Sequence, residues 1–125
     1  MSPKPGTVLI VDDDAAVRSS LKFSLELEGL TVRVYEGAAA FLADHDLPDC
    51  SCLVVDYRMP GMDGMELVEN LRARDSILPA ILITGRVTRD LRLRAEKAGI
   101  QAVIEKPLSG GTLVASIHAA LGTCH

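Results

Sequence analysis

An α/β fold built on a five-stranded parallel sheet is what this sequence predicts, on three observations. Apolar runs of strand length alternate with helical patterns five times along the chain. The runs are continuous rather than alternating with polar residues, as expected of strands covered on both faces. Acids close two of them: Asp12, Asp13 and Asp14 follow Val8-Leu9-Ile10-Val11, and Asp56 follows Cys52-Leu53-Val54-Val55. Ligands of open parallel sheets bind beyond the carboxyl ends of the strands, so these acids converge where a site would lie. Carboxylates held this close repel one another unless a cation sits among them, and the pattern predicts a hard divalent metal.

Strands are expected near 7–12, 31–35, 51–56, 80–84 and 102–104, with helices between them and at the end. In the first helix Val17, Leu21 and Leu25 form an i, i+4, i+8 stripe, Arg18, Lys22 and Glu26 lie off it, and Gly29 is the stop. The third helix begins at Asp63 with Glu66 three residues on, the spacing of a capping box, and then buries Met65, Val68 and Leu71. The fourth runs from about Thr88 to Ala98 and ends at Gly99. The fifth carries Leu113, Ile117 and Leu121 before Gly122. Right-handed crossovers put helices on both faces, and the flavodoxin-like strand order 2-1-3-4-5 follows as the natural choice for five strands.

At 125 residues the chain makes one domain, 1–125 with a core of about 7–122. Its 48% hydrophobic content with only 3% aromatic residues calls for an aliphatic core. A net charge of −4 gives no general attraction for nucleic acid or anionic membrane, so any DNA contact would need another domain. The opening residues have no apolar stretch of signal-peptide length and nothing later approaches a membrane span, which points to the cytoplasm. Cys50, Cys52 and Cys124 lack paired spacing and read as free thiols, with Cys124-His125 a frayed tail. His45 and His118 are expected on solvated helix faces, and no histidine is given a catalytic role.

The fourth strand ends Leu82-Ile83-Thr84-Gly85 and the fifth is followed by Glu105-Lys106-Pro107, which brings a hydroxyl and an ammonium to the edge that holds the acids. Acid pair, Asp56 with Met59-Pro60-Gly61 and Asp63-Gly64 behind it, Thr84, and Lys106-Pro107 then follow successive strands. From Val8 to Leu121 this pattern resembles the receiver domain of bacterial two-component response regulators. VDDD, RMPGMDG, ITG and EKP look most like receivers that precede a LuxR-type helix-turn-helix domain.

The resemblance implies a phosphoacceptor signalling module rather than an enzyme, with slow self-dephosphorylation its only other chemistry. Asp56 would attack phosphorus and form an aspartyl phosphate. Mg²⁺, or Mn²⁺, would be held directly by Asp13 and Asp56, in part through water by Asp12, and by the backbone carbonyl of Arg58. Lys106 would pair with one phosphoryl oxygen and Thr84 would donate to another. The Lys106-Pro107 bond would be cis. A sensor histidine kinase or a histidine phosphotransfer protein would be the donor. Taken singly, each residue has a plainer reading: Asp14, and Asp13 with it, as helix cap, Asp56 as a solvated acid, Thr84 as a strand residue, Lys106 as a surface lysine. Met59, Met62 and Met65 read as loop and core fillers.

Three features depart from the family pattern or add to it. Val103 stands three residues before the lysine, where receivers usually carry Phe or Tyr, so the ring-rotation half of the switch is missing. Arg58 and Arg86 occupy the positions two after Asp56 and two after Thr84, either screening the phosphate or pointing to solvent. Arg86, Arg89, Arg92, Arg94 and Lys97 make the fourth-helix region basic, either a solvated face or a docking or homodimer surface. Two rival functions remain at this point. A Mg²⁺-dependent phosphohydrolase of the haloacid-dehalogenase type needs an acid where Arg58 stands, and a receiver-like adaptor would bind partners without phosphate. A dinucleotide-binding domain is excluded, because acids replace the glycine-rich loop after the first strand.

Overall fold

The computed structural model describes residues 6–108 and 110–122. Along the chain run β1 (Thr7–Val11), α1 (Ala15–Leu27), β2 (Thr31–Tyr35), α2 (Ala38–Leu42), β3 (Ser51–Asp56), α3 (Gly64–Ala73), β4 (Ala80–Thr84), α4 (Arg89–Lys97), β5 (Ala102–Glu105) and α5 (Gly110–Leu121). The strands form one parallel sheet in the order β2-β1-β3-β4-β5, as expected. Every residue of β1, β3 and β4 is buried, which is why their sequences read as unbroken apolar runs.

Alternate residues of each strand feed two cores. Leu9, Val11, Leu53, Val55 and Leu82 pack with Phe41, Met65, Val68, Leu91 and Ala95 of α2, α3 and α4. Val8, Ile10, Val54, Ile81 and Ile83 pack with Leu25, Leu113, Ile117 and Ala120 of α1 and α5. Full burial of an aliphatic side chain of this size contributes about 1.5–3 kcal/mol, so the two layers hold the central strands firmly in register. The register sets Val11 beside Val55, Asp56 beside Ile83 and Thr84 beside Glu105. The residues that follow β1, β3, β4 and β5 therefore emerge along one edge.

Local signals in the sequence explain the helix ends. Asp14 caps α1, accepting from the backbone N–H groups of Ala16 and Val17. Asp63 and Glu66 form the reciprocal capping box of α3, at 2.8 Å and 3.0 Å. Thr88 caps α4, and Gly29 and Gly99 follow α1 and α4 with φ of +84° and +68°, which an L side chain rarely adopts. Two expectations need correction. The helix after β2 has only five residues, so His45 is exposed in the loop that follows it rather than on a helix. Arg18, off the apolar stripe of α1, is half-buried. Cys50 is disulfide-bonded, against the reading of it as a free thiol, whereas Cys52 is free and buried, its thiol pushed up to about 12 by burial. The readings of Cys124 and His125, and of the opening Met1 to Pro5, lie outside the described residues. Among the described residues no helix is long and apolar enough to cross a membrane.

Candidate functional site

The three acids meet at the sheet edge: each of Asp12, Asp13 and Asp56 offers a carboxylate oxygen, and these oxygens all lie within 4.8 Å of one another. Asp12 and Asp56 are buried, at 3% and 8% exposure, while Asp13 is exposed. Asp14 turns away to cap α1, so its plain reading holds and the first two acids are left for the site. Asp12 is held by the backbone N–H of Asp14, which donates to its Oδ1 at 2.9 Å, and by its own N–H, which donates to the Tyr35 carbonyl at 3.2 Å.

Burial pushes the Asp12 carboxyl above its ordinary value, and the repulsion of Asp56 and Asp13 adds to this. The Asp14 N–H and the Lys106 ammonium act in the opposite sense without cancelling it. A buried carboxylate in this state gains from a cation. Three clustered carboxylates are a hard oxygen donor set, suited to Mg²⁺ and poorly suited to soft metals.

Lys106 reaches the cluster from β5, its Nζ 3.3 Å from Asp56 Oδ1, and the Lys106-Pro107 bond is cis. Thr84 ends β4 at 3% exposure; its hydroxyl donates to the Arg86 carbonyl at 3.1 Å and accepts from the Arg86 N–H at 3.3 Å. The hydroxyl is thus engaged by the β4–α4 loop. Arg58 and Arg86 are both exposed at the rim, and Arg58 lines an open groove with Tyr57, Met59, Pro60 and Asp63. Val103 is half-buried against the core layer of α2 to α4. Met59 and Met65 are buried there too, with Met62 packed against them, as fillers.

Three contributors were not singled out from the sequence. Gly64 opens α3 directly behind the phosphoacceptor candidate: a Cβ there would collide with the Asp56 carbonyl, and its N–H donates to the Tyr57 carbonyl at 2.9 Å. Its place after an N-cap aspartate was a legible signal for close backbone approach. Glu105 accepts from the Val87 N–H at 3.3 Å and so ties the β4–α4 loop to β5. Arg18 donates to the Asp12 carbonyl at 2.6 Å, a contact back across the β1–α1 turn that helical periodicity alone does not disclose.

A buried acid pair with a third acid, a strand-end hydroxyl and an ammonium on the Asp56 carboxylate, all at the carboxyl edge of a 2-1-3-4-5 sheet, define a phosphoacceptor domain. The family model of the response regulator receiver domain matches residues 8–118, and the chain belongs to that family. It is 42% identical over 121 residues to the transcriptional regulatory protein FixJ of Azorhizobium caulinodans, covering 96% of this chain and 57% of that protein. It is 39% identical over 110 residues to the C4-dicarboxylate transport transcriptional regulatory protein DctR of Rhodobacter capsulatus, covering 86% and 56%. Among solved structures, the crystal structure of FixJ-N superposes with a TM-score of 0.88 at 38% identity, covering 100% of this chain and 98% of that one. Full-length FixJ from B. japonicum gives 0.85 at 37%, covering 97% and 59%. The chain thus spans a little over half the length of the curated relatives it matches, and the resemblance to receivers of the LuxR-type output class agrees with FixJ being among them. This is a phosphoacceptor signalling domain of a two-component regulator and not a conventional enzyme, and a histidine kinase partner goes with that class.

Proposed function

We propose that Asp56 is the phosphoacceptor and that the other edge residues serve its reaction. The single observation that carries this is the position of Asp56: its carboxylate lies in one cluster with Asp12 and Asp13, and Lys106 Nζ lies 3.3 Å from its Oδ1. One Asp56 oxygen attacks the phosphorus of a phosphohistidine in line, the phosphorus–nitrogen bond breaks, and the departing imidazole takes up a proton. Lys106 shifts from Asp56 to a phosphoryl oxygen as the charge moves outward. Thr84 gives up the Arg86 carbonyl and donates to another phosphoryl oxygen, which frees the β4–α4 loop.

Asp12, Asp13, Asp56 and the Arg58 carbonyl would hold Mg²⁺, with Mn²⁺ as a substitute, and when bound the ion neutralises charge between the acceptor and the phosphoryl oxygens. The donor is a sensor histidine kinase or a histidine phosphotransfer protein, and the chain acts in the cytoplasm as one receiver unit with a core of about 7–122. Changed partner binding is the output. The α4 face is the proposed contact for a homodimer: Leu93 is 49% exposed between Arg89 and Lys97, one turn away on either side. Arg94 is not part of that face, because its guanidinium grips Glu69 of α3 at 2.6 Å and 2.8 Å.

The reaction is tested by incubating the domain with acetyl phosphate, with and without Mg²⁺, and weighing the intact protein. One phosphate adduct that requires the metal is expected. An unlabelled protein that still binds its partners would favour the adaptor reading instead.

A further inference from the structure

The three-acid turn between β1 and α1 is gripped twice by one residue. The Arg18 guanidinium donates to the Asp12 carbonyl at 2.6 Å, and the Arg18 backbone N–H donates to the Asp14 carbonyl at 3.0 Å. The carbonyls of Asp12 and Asp14, the residues on either side of Asp13, are therefore tied to the first turns of α1, the first by the Arg18 side chain and the second by an i to i−4 helix bond that any residue at 18 would make. Asp12 has further anchors, in the Asp14 N–H and the Tyr35 carbonyl. Asp13 has none of its own: among the described residues its exposed carboxylate accepts no hydrogen bond. Its direction is set by the main chain on either side. Arg18 itself is half-buried in the first turn of a helix whose Leu21 packs against the core, and from there its guanidinium reaches back to the turn.

We propose that Arg18 is a positioning residue for the cation site, holding the peptide backbone of Asp12 to Asp14 so that the Asp13 carboxylate converges with those of Asp12 and Asp56. The inference rests on the reading that these acids bind Mg²⁺. Groups that orient metal ligands from outside the coordination sphere typically change metal affinity by about 10–100-fold. A charge-assisted hydrogen bond to a carbonyl in a half-buried position is of the strength needed. Lysine at this place keeps a cationic donor but loses the rigid planar geometry, so it should restore only part of the effect.

The test is a Mg²⁺ titration of the whole chain followed by the NMR shifts of the amides of Asp12 to Ala15, for the wild type, Arg18→Met and Arg18→Lys. Thermal unfolding in chelator is measured alongside. The expected result is that Arg18→Met folds and binds Mg²⁺ about tenfold or more weakly, that Arg18→Lys falls between it and the wild type, and that acetyl phosphate labelling of Arg18→Met recovers at saturating Mg²⁺. Affinity of Arg18→Met within twofold of the wild type overturns the role of Arg18 and leaves the site assignment standing. A wild type whose amides do not respond to Mg²⁺ overturns the site assignment itself.

Discussion

The Lys106 ammonium lies 3.3 Å from Oδ1 of Asp56, a pair in which the lysine side chain is 40% exposed and the aspartate 9%. The exposed end of the pair keeps its contribution to folding small, on the order of 1 kcal/mol or less. Its importance is positional, since the cation already sits beside the oxygen to which a phosphoryl group would be transferred. Lys106→Ala should therefore fold and bind Mg²⁺ at least as tightly as the wild type, because a competing cation has left the acids. Its phosphorylation-dependent change in amide exchange should be lost. A normal change would remove Lys106 from the switch.

Asp12 yields a pH prediction. Its folded-state carboxyl lies above the ordinary 3.8, chiefly through burial. A carboxyl raised in this way holds more protons folded than unfolded, so its contribution to stability falls as pH rises from 3.8 through the raised value and stays unfavourable at neutral pH. Each unit of such a shift is worth about 1.4 kcal/mol. Asp12→Asn should accordingly raise the Tm of the metal-free domain at pH 7, with the gain shrinking as the pH falls through the raised value toward 3.8. The Asp14 N–H can still be accepted by the amide oxygen. An unchanged or lowered Tm at pH 7 would show that desolvation of Asp12 is already offset.

Gly64 is tied to Asp56 by space rather than charge. A methyl group there meets the Asp56 backbone carbonyl, which cannot swing aside as a flexible side chain would. Gly64→Ala should cost roughly 1–3 kcal/mol in denaturant unfolding, the usual range for overpacking. It should also slow phosphodonor labelling if Asp56, which the displaced peptide carries, is the nucleophile as proposed. Wild-type stability and labelling rate together would mean that the α3 N-terminus gives way freely.

These residues also mark what the sequence could and could not disclose. The central strands were legible because β1, β3 and β4 are wholly buried and so carry largely apolar runs, and two helix starts were legible because the caps at Asp14 and Asp63 are local chemistry. The convergence of Asp12, Asp13 and Asp56 was legible because parallel register brings strand ends to one edge. Arg18 on the Asp12 carbonyl, Glu105 on the Val87 N–H and Arg94 on Glu69 were not. Each is a long side chain whose partner depends on how two elements dock, and neither periodicity nor capping spacing encodes that. The helix expected between β2 and β3 is present, but its shortness was not legible for a related reason: beyond Ala38–Leu42 the chain is held by Tyr35 and Arg33 on Asp44, at 2.6 Å and 3.2 Å.

Thr84 carries the switch prediction. Its hydroxyl is bonded to the Arg86 carbonyl, and the half-buried Val103 offers little area to exchange between buried and exposed positions. Phosphorylation should then act mainly by moving the Thr84 hydroxyl and releasing the Gly85 to Val87 loop. In NMR spectra of the phosphorylated protein, Thr84→Ala should lose the response around α4 while still being labelled. A full α4 response without the hydroxyl would mean that another route, such as the Glu69–Arg94 link between α3 and α4, transmits the signal.

The central claim is that Asp56 is the residue that takes the phosphoryl group. Acetyl phosphate labelling of the wild type and of Asp56→Asn in Mg²⁺, read by intact mass, tests it most directly, since the amide keeps the shape of the side chain and lacks the nucleophilic anion. A single phosphate adduct on the wild type and none on Asp56→Asn is the predicted result. Equal labelling of the variant would contradict it.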